Sequence, residues 1–134
     1  MLKEMVNKYY DKSYDLNCAE TLLYAANEEY DLNMDKKALK IAAGFGGGMA
    51  VEGDCGALTG AIMALGVMFV EKQAHESDRI KTLTKEMIQK FNEKLKSVNC
   101  KELKSMYRND EIRCTDIVYA AAEALDEIVS RERK

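Results

Sequence analysis

Four cysteines, at positions 18, 55, 100 and 114, are the residues of this 134-residue chain with the widest chemistry open to them. A thiolate attacks disulfide sulfur, binds soft metals and can be oxidised reversibly. In a reducing compartment, cysteines in this number are more often reactive or metal-binding than a permanent disulfide framework. Each falls where the sequence predicts a helix to begin. Asn17-Cys18-Ala19-Glu20 has a capping asparagine, with Glu20 placed to reach back as in a capping box, and Asn99-Cys100-Lys101-Glu102 repeats the arrangement. Asp54 is the expected cap of a helix with Cys55 in its first turn, and Cys114-Thr115-Asp116 opens the last helix. Unpaired backbone N–H groups and the positive end of the helix dipole favour a thiolate there. At an exposed terminus this is worth about 0.3–1 kcal/mol, whereas one pKa unit is about 1.4 kcal/mol, so strong activation needs a second contribution. Lys101 beside Cys100 and Arg113 beside Cys114 are sequence neighbours of the right charge, while Asp54 would oppose ionisation of Cys55.

The elements that must position these thiols are all helical. Leu2, Met5, Val6, Tyr9 and Tyr10 follow helical spacing, with a stop expected near Ser13. The helix from Cys18 turns Leu22, Leu23, Ala26 and Tyr30 inward, and a third begins near Asp35 with Leu39 and Ala42 inward until Gly44 and Gly46 end it. From Cys55 to Val70 runs a helix apolar on every side, expected to lie at the centre, with Gly56, Gly60 and Ala64 forming a smooth stripe for close backbone approach. Ser77 is the expected cap of a long amphipathic helix carrying Ile80, Leu83, Met87, Phe91 and Leu95. A short helix from Cys100 carries Leu103 and Met106, residues 107–113 read as a loop, and the last helix buries Ile117, Val118, Ala121, Leu125, Ile128 and Val129. There is no proline and no run alternating with period two. The expectation is a single all-α domain over residues 1–134, with six or seven helices around the buried helix from Cys55.

Composition narrows the function classes. A hydrophobic content of 47% supports one compact core, and 20 basic against 23 acidic residues leave no basic stripe for nucleic acid. The apolar run from Ala57 to Val70 falls short of the roughly 20 residues that span a bilayer. Met1-Leu2-Lys3-Glu4-Met5 reads as amphipathic helix and not as a leader, so the expected compartment is the cytoplasm. Gly44-Phe45-Gly46-Gly47-Gly48 follows a helix and lacks the spacing of a phosphate loop. His75 lies in a polar stretch and reads as solvated, while the methionines and tyrosines read as packing residues.

Cys55-Gly56-Ala57-Leu58-Thr59-Gly60, the glycine-rich approach from Gly44 to Met49, and Cys18, Cys100 and Cys114 in order together resemble the bacterial redox-active family named for the pattern C_GCAxxG_C_C. The resemblance covers essentially the whole chain. It implies a small helical protein whose redox function is inferred from its cysteines and which is in many cases encoded near transporter genes. With no Cys-x-x-Cys-His, covalent haem is not expected.

Two mechanisms are consistent with these residues. In the first, one thiolate, expected at Cys55, attacks a protein or small-molecule disulfide and a second cysteine resolves the mixed disulfide, with no cofactor required. In the second, Cys18, Cys55, Cys100 and Cys114 bind one metal ion or iron–sulfur cluster. Separations of 37, 45 and 14 residues are unlike the close pairs of four-cysteine zinc sites. A third reading is a non-catalytic helical adaptor for a membrane transporter, and self-association is open.

Overall fold

The computed structural model describes residues 1–133. Among them are seven α-helices and no strand: α1 (Leu2–Tyr9), α2 (Cys18–Glu29), α3 (Lys36–Leu39), α4 (Gly56–Phe69), α5 (Arg79–Leu95), α6 (Cys100–Tyr107) and α7 (Thr115–Glu132). The expected class and helix number are those observed. No helix of the described residues is long and apolar enough to cross a membrane.

The core forms where the apolar faces read from the sequence meet. Leu22, Leu23 and Ala26 of α2, Leu83, Met87, Phe91 and Leu95 of α5, and Ile117, Val118, Ala121, Leu125, Ile128 and Val129 of α7 are all buried. Helix α4 packs against α2, α5 and α7, and α1 against α2 and α7. The α2–α4 contact depends on small residues. A Cβ on Gly60 would stand 2.6 Å from the Ala19 carbonyl oxygen and 3.1 Å from the Ala19 Cα, and one on Gly56 would stand 2.9 Å from the Phe45 oxygen. These two glycines therefore form a backbone-to-backbone seam, as their spacing predicts.

Four expectations are corrected. Helix α4 is not buried all round: Val67 is 45% exposed and Ile62, Met63 and Gly66 are half-buried, so its outer face reaches the surface. Met106 is 50% exposed and contributes little to the core. Helix α1 ends at Tyr9, before Ser13, because residues 10–14 close turns on one another, with Tyr14 N–H donating to Asp11 O. Asp78, and not Ser77, occupies the N-cap of α5, while Ser77 Oγ accepts from Arg79 N–H.

Between α3 and α4 the chain makes a tight 3-10 turn (Lys40–Phe45) and then a strained one (Gly48–Glu52). Gly47, Gly48, Met49, Ala50 and Glu52 all have positive φ. Gly48 is required twice over: its φ is +62°, and a Cβ would lie 2.4 Å from Gly53 N and 2.8 Å from Cys100 Cβ. This turn lies against the start of α6.

Candidate functional site

The four cysteines are brought to one place by four helix starts. Cys18 and Cys100 are the first residues of α2 and α6, and Cys55 and Cys114 are the N-cap residues of α4 and α7. The caps that hold them are those legible in the sequence for two of the four. Asn17 accepts from Glu20 N–H at 2.9 Å while Glu20 accepts from Asn17 N–H, and Asn17 Nδ2 reaches across to Ala43 O. Asn99 accepts from Glu102 N–H at 3.0 Å, but here the reciprocal bond goes to Ser97 Oγ, which itself donates to Glu102. For α4 the expected cap is corrected: Cys55 occupies the N-cap position, and Asp54 lies outside the helix in an antiparallel bridge with Asn99. That bridge ties two helix starts together, since Cys55 N–H donates to Val98 O at 2.8 Å and Cys100 N–H to Gly53 O at 2.6 Å.

All four cysteines line a single cavity of about 230 Å³ at this junction. Tyr10, Leu16, Asn17, Gly47, Gly56, Leu103, Lys104, Arg108, Arg113 and Ile117 complete its wall. Cys55, Cys100 and Cys114 are buried and Cys18 is partly exposed, and all four are free thiols. Far-off segments meet here. Cys114 N–H donates to the Tyr10 hydroxyl at 3.1 Å, and the Arg113 guanidinium lies 4.1 Å from the centre of the Tyr10 ring while donating to the Tyr10 carbonyl.

The local fields differentiate the thiols. Cys114 is pulled down to about 6, first by hydrogen bonding from the Cys18 thiol and then, against its own burial, by the charge of Arg108 and the Tyr10 hydroxyl. The same proton-sharing, together with burial, pushes Cys18 well above its ordinary value. Cys55 goes up to about 11 because burial outweighs the backbone N–H groups of Leu58 and Ala57. Burial also raises Cys100, opposed by the charge of Lys104. Burial therefore works against the thiolate expected at Cys55. A helix start alone does not overcome desolvation, whereas Cys114 has a thiol donor and a guanidinium in addition.

The cations that act most on the two sulfurs are not the sequence neighbours. Lys104, one helical turn beyond Cys100, faces that sulfur in place of Lys101, as i, i+4 geometry requires. Arg108, and not Arg113, is the cation favouring the Cys114 thiolate. Tyr10, which helical spacing assigns to packing, contributes its hydroxyl to the site. Lys104 had a readable signal in its spacing from Cys100. Tyr10 had none, since it reaches Cys114 across 104 positions of sequence.

Among the described residues, no group of three or more His, Cys, Asp or Glu is disposed to hold a metal ion. What the arrangement offers is four free thiols on one wall, with the Cys114 thiol drawn down beside the Cys18 thiol.

Residues 16–128 match the family model described as Putative redox-active protein (C_GCAxxG_C_C), a span that includes all four cysteines. No curated protein and no solved structure matches the chain.

Proposed function

Because the chain belongs to the C_GCAxxG_C_C family, we propose that it is a thiol–disulfide exchange protein in which Cys114 attacks and Cys18 resolves. The Cys114 thiolate forms a bond to one sulfur of a substrate disulfide, whose other sulfur leaves as a thiolate. Cys18 then gives up its proton to solvent or to the departing thiolate, and its sulfur displaces the second half of the substrate from Cys114. Two protein thiols are oxidised to one disulfide and one substrate disulfide is reduced to two thiols. A dithiol reductant in the reducing cytoplasm returns the protein to its starting state.

What supports this reading is that Cys18 and Cys114 line one cavity wall, with the Cys114 thiol drawn down by the Cys18 thiol and the charge of Arg108. Cys55 and Cys100, held by the main-chain bonds between Gly53, Val98 and their own N–H groups, form a second dithiol on the cavity wall. We assign them the relay of oxidation from Cys18–Cys114. The test is to react the reduced protein with a stoichiometric small disulfide and map the cross-links by mass spectrometry. Wild type is expected to give Cys18–Cys114 first, Cys18→Ser to accumulate a mixed disulfide on Cys114, and Cys114→Ser to lose both products. A mixed disulfide first on Cys55, or no reaction, overturns the assignment.

The four-cysteine metal or cluster reading is favoured by one fact, that all four thiols share a wall. Stoichiometric metal or charge-transfer absorbance after anaerobic purification would establish it.

A further inference from the structure

The cavity wall carries a charge pattern that thiol exchange by itself does not call for. Lys104, Arg108 and Arg113 all line it, and no aspartate or glutamate does, in a chain with 23 acidic residues and a net charge of −3. Two of these cations lack a carboxylate partner among the described residues. Among the described residues, neither Arg108 nor Arg113 has a carboxylate within ion-pair distance, and the groups that hold Arg113 are the neutral ring and carbonyl of Tyr10. Asp11 feels the charge of Arg113 only weakly, behind its bonds to Ser13. Lys104 is different, because Glu52 lies 3.3 Å away and shares its charge. Around these cations stand four helix starts, whose N–H ends add positive potential of their own.

The volume limits what this potential can act on. A cavity of about 230 Å³ admits a small molecule or the tip of a larger one.

From this pattern we propose that the site selects small anionic substrates, namely low-molecular-weight disulfides bearing a carboxylate, which Arg108 and Arg113 bind while the sulfur meets Cys114. For its chemistry the proposal rests on the exchange reading above, but the selectivity can be measured without it. The two guanidiniums present forked donors that suit a carboxylate. A neutral disulfide gains nothing from them, and a cationic one is repelled.

The probes are iodoacetate and iodoacetamide, which have nearly the same shape and differ in charge. Both transfer a carbon to the Cys114 thiolate with loss of iodide, and the modified peptide is quantified by mass spectrometry. The ratio of the two rates cancels the thiolate fraction, so a variant that also alters Cys114 ionisation still reports on charge selection. In the folded protein the iodoacetate-to-iodoacetamide ratio should exceed that of the denatured chain by about tenfold, at the low end of electrostatic steering, and should fall with added salt. Arg108→Gln and Arg113→Gln should each lower the ratio several-fold. Glu52→Gln should raise it, because it releases Lys104, a reversal that a purely structural role would not produce.

A folded-state ratio at or below the denatured one, insensitivity to salt, or failure of both reagents to reach Cys114 in the folded protein would overturn the proposal. If the anionic probe is preferred but no disulfide oxidises the protein, the anion site stands and the exchange reading falls.

Discussion

Replacing Cys18 by alanine should move the ionisation of Cys114 more than any other single change. With Cys114 drawn down to about 6 by its surroundings against about 8.5 for a free thiol, the folded environment favours the thiolate. The Cys18 thiol is the first cause and the charge of Arg108 the next favourable one. Cys18→Ala should therefore raise the Cys114 midpoint by at least about one unit, worth ~1.4 kcal/mol. Cys18→Ser keeps a hydroxyl donor and should raise it less. The rate at neutral pH is a poor readout, because a lower pKa brings weaker nucleophilicity: with a Brønsted slope of about 0.4–0.5, roughly tenfold of the gain in thiolate is given back. The midpoint of iodoacetamide alkylation against pH, followed on the Cys114 peptide, is the direct measure. A wild-type midpoint near that of a free thiol, or a Cys18→Ala midpoint unchanged from wild type, would refute the argument that Cys18 stabilises the anion.

Three further outcomes follow from the same geometry. For Cys114, whose folded pKa is depressed, the linked stability is fully present above about 8.5, the unfolded pKa, and is lost as pH falls through about 6. For Cys55, raised to about 11, the sign is opposite: its contribution is present below the unfolded pKa and lost as pH rises through the folded one. Thermal melts of the reduced protein should therefore show a cysteine-dependent maximum near pH ~8, with the acid-side limb flattened in Cys114→Ala. Gly60→Ala should destabilise by about 1–3 kcal/mol in urea titration, since its Cβ would stand 2.6 Å from main chain. Gly66→Ala meets nothing within 4 Å and should stabilise by about 0.5–1 kcal/mol in the same assay.

Much of the scaffold was readable because its signals are local. Asn17 and Asn99 cap the helices beside Cys18 and Cys100 through side chains three residues from the N–H groups they satisfy. The buried faces of α5 and α7 repeat with helical period, and the glycine stripe of α4 meets α2 as spacing alone predicts. Cys55 shows where this fails. An aspartate before a helix is a good cap in isolation, but Asp54 is drawn into a bridge with Asn99, forty-five positions away, and the next residue takes the cap. The ranking of the thiols was hidden for the same reason. It depends on Cys18, Tyr10 and Arg108 around Cys114, contacts that no window of sequence contains, and on burial, which reverses the effect of a helix start at Cys55. Val67 and Met106 are exposed because an apolar residue shows no preference for core over surface until its neighbours are placed.

The seam of Gly56 and Gly60 against Ala19 also governs how tolerant the molecule is to change. Cys18 adjoins one side of that seam and Cys55 the other, so the distance between two sulfur-bearing chain segments is fixed by peptide groups in van der Waals contact, which have no rotamers to exchange. Repacking Leu65 or Phe91 with other hydrocarbons bears on stability, while a methyl at position 60 would press on the main chain beside Cys18.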